Sequence, residues 1–387
     1  MSPDASPALE ATPELKPRRS ELTAHRPPLH ALTGIRFFAA TYVVVFHTRF
    51  AELARARVSN AAGNFFANGY LAVPLFFLLS GFILAYTYEG QIATRSDHRR
   101  FWEARFARIW PLYALSLVAS AAVFGVIPRL PVAAATVFML QSWNPLNLGM
   151  AGAWNAVCWT LSTEALFYLL FPFVQTWLDR RSRHAQSLFL AIVILICIVC
   201  NTSWRSLGYS PVVGAYRYIP LALIHVPEFL TGVALGNLYL RWRSQQTAKP
   251  ELPGKGWWTW IAAVVALLLL CRANGPLTSL IVPVFAALLF GLAAEPSLLR
   301  RVLSTPALLL GGQISYGMYL MQLPCKAAID GLLARHHSNS LTVRFGGDFA
   351  ALLVVSYIGF KLVEDPSRKL LRSAFAGIEA RRKRVAI

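Results

Sequence analysis

Apolar runs of helix-spanning length recur ten times along this chain, and no water-soluble fold has use for so many. They cover 32–50, 70–88, 109–127, 158–178, 187–201, 217–240, 258–272, 276–294, 307–329 and 347–363. A hydrocarbon core of about 30 Å is crossed by about 20 helical residues, so such runs read as spanning helices. Composition agrees: 56% of residues are hydrophobic and 14% charged, where soluble domains carry about 45–50% and about 25%. The mean hydropathy is +0.49. The expected fold is all-α, a polytopic membrane helix bundle of about ten transmembrane helices.

A formal net charge of +19 raises nucleic acid as a partner. DNA-binding domains gather Lys and Arg on one face or along one helix. Here they collect in short segments between apolar runs, the positive-inside pattern of membrane topology, so no nucleic acid is expected. With the N-terminal tail and its Lys16, Arg18, Arg19 and Arg26 in the cytoplasm, alternation places 89–108, 179–186, 241–257 and 295–306 inside. Each of those loops is basic, and the Arg-rich C-terminal tail also lands inside (N-in/C-in). The agreement requires that the shorter apolar stretch 131–142 does not cross. Its twelve residues would rise about 18 Å as a helix, so Pro131–Ser142 is expected to be re-entrant or interfacial at the outer side. The outer loops are then 51–69, 128–157, 202–216 and 330–346.

Residues 1–29 are rich in Pro, Ala and charge, with no apolar signal-peptide core, and are expected to form a disordered cytoplasmic tail. Residues 30–370 form the membrane domain and 371–387 a basic tail. Cys158, Cys197, Cys200, Cys271 and Cys325 lie in or beside apolar segments without metal-ligand spacing. An odd count inside lipid argues against a disulfide framework, and no metal site is expected.

Ionisable residues within spans are costly, and each is a functional candidate. The first span holds Arg36 and His47, eleven residues apart. That spacing is about 20° past three turns, so both project from one face, about 16 Å apart along the axis. Arg36 lies near the cytoplasmic mouth and His47 towards the outer leaflet. The competing readings are a snorkelling arginine and a packing histidine. Glu164 lies in the fourth span between Trp159 and Tyr168, about 9 Å in from the outer side by counting. It is expected to meet His47 at similar depth and to fix its tautomer. Arg105 and Arg108, three apart before the third span, share a helix face. Paired guanidinium forks suit phosphates, against the plainer reading of positive-inside charge. His225 and Glu228, three apart in the sixth span, are either a structural pair or cavity-lining groups. Lys326 and His336–His337 show no partner spacing and are expected to be solvated or snorkelling.

These motifs, taken in order from about Leu29 to Leu371, resemble the membrane-bound acyltransferase family called acyltransferase 3. The carriers are L-x-G-x-R-F-F-A-A…V-V-x-F-H (Leu32–His47), G-x-x-x-V-x-L-F-F-x-L-S-G-F (Gly69–Phe82) and F-x-x-x-R-x-x-R-I-x-P (Phe101–Pro111). W-T-L-x-x-E-x-x-F-Y-x-x-x-P (Trp159–Pro172), E-F-x-x-G (Glu228–Gly232), I-S-Y-x-x-Y-L (Ile314–Leu320) and E-x-P-x-R (Glu364–Arg368) complete the set. The resemblance implies transfer of an acyl group, commonly acetyl from acyl-CoA, to a hydroxyl of a cell-surface glycan or lipid-linked precursor. By position, Arg36 and His47 match the family's R-x10-H motif, Arg105 and Arg108 its R-x-x-R motif, and Glu164 its acidic position. Members often close I-S-Y-x-x-Y-L-x-H with a histidine. This chain has Gln322 there, which removes a proton-transfer role but leaves a hydrogen-bonding one.

The functional expectation is then an O-acetyltransferase of the bacterial inner membrane with acyl-CoA as co-substrate, no bound cofactor, and membrane lipids as its surroundings. Arg105 and Arg108, assisted by Arg36, would hold the CoA phosphates, and His47 would act as general base oriented by Glu164, or as an acylated nucleophile. Trp159, Tyr168, His225, Glu228, Tyr316 and Gln322 are candidate substrate contacts. Acceptors left open are an exopolysaccharide sugar, an O-antigen sugar of lipopolysaccharide, another lipid-linked glycan and a small metabolite. A transporter or flippase of a glycan precursor would also bury ions near the midplane. No paired broken segments recur in two halves, however, and a scaffold would leave Arg36, His47 and Glu164 without purpose.

Overall fold

A computed structural model describes residues 26–48, 50–144, 148–206, 219–245, 256–273, 275–335 and 341–385. Among the described residues the ordered elements are helices, with no strand. In lipid a helix satisfies its backbone polar groups internally, which is why long apolar runs fold this way. The helices that build the site are α1 (His30–Phe46), α2 (Ala72–Tyr88), α3 (Arg95–Phe124), α4 (Trp159–Asp179), α5 (Val226–Ser244), α6 (Pro306–Arg335), α7 (Leu341–Gly359) and α8 (Asp365–Val385).

Seven helical stretches among the described residues are long and apolar enough to cross a membrane, eight if α1 and the bent Phe50–Arg57 count as one span. The chain is a multi-pass membrane protein. Two further expected spans fall outside that set. Trp257–Leu270 is helical for only 14 residues, a rise of about 21 Å. Helix α6 has 30 residues, but Gly311, Gly312, Gln313, Ser315 and Gln322 dilute its apolar character.

Packing follows small residues. Helix α2 packs most extensively on α5, α1 on α6, and α6 on α7. Gly81 and Gly232 set the first contact: a Cβ on Gly81 would lie 2.2 Å from the Phe229 carbonyl oxygen, and one on Gly232 2.1 Å from that of Leu78. Close backbone approach of this kind drives helix association where lipid tails are as apolar as the side chains.

The expected re-entrant stretch is helical only over Leu130–Val137. The chain then turns at Met139, whose φ of 58° lies in the left-handed region. Three of the polar groups that follow are met inside the protein. Gln141 Nε2 donates to the Cys158 carbonyl at 3.0 Å, Ser142 N donates to Ser162 Oγ at 3.1 Å, and Ser142 Oγ donates to the Trp159 carbonyl at 2.9 Å. The segment is thereby pinned to the start of α4.

The expected loop 51–69 instead holds the short helices Phe50–Arg57 and Asn60–Ala67, the second capped by Ser59. The tail expected over 1–29 lies outside the described residues as far as residue 25. Its end is fixed: Arg26 bonds the Tyr86 carbonyl and the Glu89 carboxylate, and Tyr86 OH donates to the Pro27 carbonyl at 2.8 Å. At the other terminus the expected basic tail continues α8 as helix to Val385, because Arg, Lys, Ala and Glu are strong helix formers. All five cysteines are free thiols.

Candidate active site

A cavity of about 120 Å³ opens among α1, α2, α3, α4 and α6. Its polar end gathers Arg36, Arg105, Arg108, Glu164 and Tyr168, and its walls include Phe76, Phe77, Leu79, Ile83 and Leu161. At about 10–15 Å³ per water centre, the space takes several waters or a slender flexible chain. Buried charge beside apolar walls is what an amphiphilic anion requires.

Helix α3 presents two of the arginines. Thr94 caps it in a reciprocal capping box with Asp97, fixing the register about three turns ahead of Arg105 and four ahead of Arg108. The Arg105 guanidinium sits among three rings, 5.5 Å from the Tyr88 centroid, 5.9 Å from Phe101 and 6.0 Å from Tyr168. Its Nη2 donates to Tyr88 OH at 3.2 Å, while Nε is buried without a partner. Aromatic faces hold a guanidinium while leaving its donors for a ligand. Arg36 of α1 lines the same cavity, within electrostatic reach of Arg108, Glu164 and Glu364.

Glu164 does not meet His47. Its Oε1 accepts from Ser80 Oγ at 3.0 Å and from Tyr168 OH at 2.5 Å. The carboxylate lies with the arginines, more than one turn inside α4, whereas His47 stands at the very end of α1. His47 caps the C-terminus of α1 and does not line the cavity. Its Nδ1 lies 3.0 Å from the Val43 carbonyl and 2.9 Å from Gln322 Oε1. Gln322 Nε2 donates to the Tyr319 carbonyl at 2.7 Å, which turns Oε1 towards the imidazole. Two acceptors face Nδ1, so the proton sits there and Nε2 keeps its lone pair. Gln322 therefore takes the orienting place expected of Glu164.

Arg36 lines the cavity together with Ser315, Tyr316 and Tyr319 of α6, and His47 bonds Gln322, about one turn further along α6. Tyr316 OH donates to the Ile109 carbonyl at 2.8 Å, and Thr160 Oγ1 donates to Tyr319 OH at 3.0 Å. His225 and Glu228 form an internal pair at 2.9 Å outside the cavity, with Glu228 buried. The His225 ring packs against Phe77 and Trp159, each 5.3 Å away between centroids. Lys326, expected to be unpaired, bonds Asp330 at 2.6 Å, one turn along α6. His336 and His337 lie outside the described residues. Among the described residues no three His, Cys, Asp or Glu side chains are grouped to hold a metal.

Ser80, Tyr319 and Glu364 had drawn no role from the sequence. Their one signal was that they stand inside the L-S-G-F, I-S-Y-x-x-Y-L and E-x-P-x-R motifs.

The profile of an acyltransferase domain matches residues 29–360. The chain belongs to this acyltransferase family. The acyltransferase is 30% identical over 320 residues to the acyltransferase MdmB of Streptomyces mycarofaciens, an alignment covering 76% of this chain and 78% of that one. It is 26% identical over 334 residues to the putative peptidoglycan O-acetyltransferase YrhL of Bacillus subtilis (78% of this chain, 49% of that one). Over 185 residues it is 26% identical to the O-acetyltransferase OatA of Staphylococcus aureus (43% and 28%). The acyltransferase thus spans about half of YrhL and less of OatA. No solved structure matches it.

Proposed function

We propose that this membrane acyltransferase carries an acyl group, acetyl by preference, from cytoplasmic acyl-CoA to a hydroxyl of an exported or cell-surface glycan. The observation that carries the reading is the cavity itself, with three arginines at one end and an apolar sleeve leading from them. In this proposal the bundle has ten spans in a bacterial inner membrane, both termini inside, so that the arginines face the cytoplasmic donor. The names of YrhL and OatA support acetyl as the group and a glycan hydroxyl as the acceptor.

Arg105, Arg108 and Arg36 would grip the CoA phosphates with charge-assisted hydrogen bonds. Glu164, held by Ser80 and Tyr168, would balance the guanidiniums and keep them apart. The pantetheine arm would then lie along Phe76, Phe77 and Leu79 and pass out of the cavity beyond Tyr319 to bring the thioester to His47, about 16 Å from Arg36 by helical rise. His47 Nε2 would take the proton of the acceptor hydroxyl as its oxygen attacks the thioester carbonyl carbon. The C–S bond breaks, an ester forms, and His47 returns the proton to the CoA sulfur. Removing such a base costs about 10²–10⁴-fold in rate.

The test is transfer of label from radiolabelled acetyl-CoA into the glycan fraction of membranes. It compares wild type, His47→Ala and Arg108→Ala at equal expression. Label in wild type that is lost from both variants is the expected result; full labelling by His47→Ala would sink the mechanism. No label in wild type with acceptor present would return the transporter reading.

A further inference from the structure

A buried carboxylate stands near the arginines of the cavity, and the chemistry above does not use it. Glu364 ends the π-helical turn Phe360–Glu364 that joins α7 to α8. It is 5% exposed, and its Oε2 is buried without a hydrogen-bond partner. A carboxylate oxygen deprived of both water and donors is expensive, so its charge must be met by nearby cations. Arg108 and Arg36 are the first two charges acting on it, ahead of Arg368. The turn packs against α3, the helix that carries Arg108. Arg36 and Arg108 line the cavity and Glu364 does not, so the carboxylate acts on them from outside the ligand space.

The turn itself points the same way. Single π-helical turns inside α-helices occur often at functional sites. Here the turn leaves Lys361 exposed, over the rings of Tyr357 and Phe360, while Glu364 is buried.

We propose that Glu364 is an internal counter-ion of the donor site, whose fixed negative charge limits how tightly Arg36 and Arg108 hold an anion. The inference rests on the reading of the cavity as an acyl-CoA site. Spent CoA carries the same phosphates as acyl-CoA. Arginines strong enough to capture the donor without restraint would also retain the product. A fixed negative charge near them lowers the affinity for both and keeps release fast.

Replacing that charge by a neutral isostere, Glu364→Gln, therefore tightens both complexes. The experiment uses the full chain in detergent, binding of labelled CoA, and acetyl-transfer kinetics alongside. The expected result for Glu364→Gln is a fall of about tenfold in both CoA Kd and acetyl-CoA KM, with kcat reduced as release becomes limiting. Glu364→Asp keeps the charge but withdraws it, and tightens CoA about two- to threefold. Unchanged or weaker CoA binding by a Glu364→Gln protein with wild-type thermal stability overturns the proposal, because a merely structural carboxylate would not tighten a ligand when lost. If Glu364→Gln does not accumulate, Glu364→Asp decides: no tightening, or weakening, overturns it. Wild-type protein that binds no CoA overturns the donor reading and this proposal together; wild type that binds while Glu364→Gln binds no tighter overturns this one alone.

Discussion

His47 Nδ1 lies 2.9 Å from Gln322 Oε1, an amide oxygen whose direction is set by the bond from Gln322 Nε2 to the Tyr319 carbonyl. The contact joins the end of α1 to the middle of α6 across 275 residues of sequence. It gives the imidazole one tautomer with Nε2 unprotonated, the form a general base needs. Gln322→Leu removes the acceptor while keeping volume. The Val43 carbonyl then holds Nδ1 alone, and the ring loses part of its orientation. The expected outcome is a fall in kcat of about 10–100-fold with acetyl-CoA KM little changed, the size seen when outer orienting partners are removed. A kcat equal to wild type would show that Val43 suffices.

Among the described residues Arg105 is the guanidinium most enclosed by aromatic rings. A lysine would keep the charge and lose the planar fork, the bond to Tyr88 and much of the stacking. Arg–Lys exchange at such a site is not conservative. Arg105→Lys is expected to raise acetyl-CoA KM about tenfold, since one stacked charge-assisted contact is worth about 1–2 kcal/mol. Steady-state kinetics at varied donor concentration check this. An unchanged KM would place the donor phosphates elsewhere.

Tyr168 gives Glu164 one of its two hydrogen bonds. Tyr168→Phe leaves the carboxylate with Ser80 alone and preserves the ring beside Arg105. The carboxylate then lies less firmly among the arginines, and donor KM is expected to rise about three- to tenfold, as for loss of one hydrogen bond to a charged group. A change in kcat alone, with KM constant, would tie Tyr168 to the acyl-transfer step instead.

Much of this arrangement was legible in the sequence, because lipid imposes a local rule. Each apolar run has a helix, Arg36 stood out as a charge inside one, and Arg105 and Arg108 as a pair sharing a helix face just before another. What stayed hidden depends on how helix ends align in space. Glu164 could be counted into α4 but not placed against α1, so its partners became Ser80 and Tyr168 rather than His47. Gln322 was visible as a departure from a motif, yet its bond to His47 is a contact between distant helices. Glu364 sat in a recognised motif, but burial near Arg108 follows from a π-helical turn that no hydropathy pattern encodes. Helix Trp257–Leu270, 14 residues long, matches its 15-residue apolar run (258–272), but the tie of its end to Asn68, whose Nδ2 donates to the Leu270 carbonyl at 2.8 Å, is a contact that no run encodes.

The contact between α2 and α5 gives the last prediction. Gly81 and Gly232 let two backbones approach until a methyl group has no room: its carbon would fall within 2.2 Å of a carbonyl oxygen on either side. These obstacles are backbone atoms and cannot swing aside as a side chain would. Gly232→Ala must push the helices apart, and overpacking of this kind costs about 1–3 kcal/mol or more. Helix α2 also carries Ser80, beside Gly81, and Phe76 and Phe77 of the cavity wall, so the displacement reaches the site. The expected outcome is a lower thermal transition in detergent together with a loss of acetyl transfer larger than the loss of folded protein. Gly331→Ala in α6, where a Cβ meets nothing within 4 Å, is the control and should leave both unchanged. Full stability and activity in Gly232→Ala would mean that α2 and α5 are not packed through these glycines.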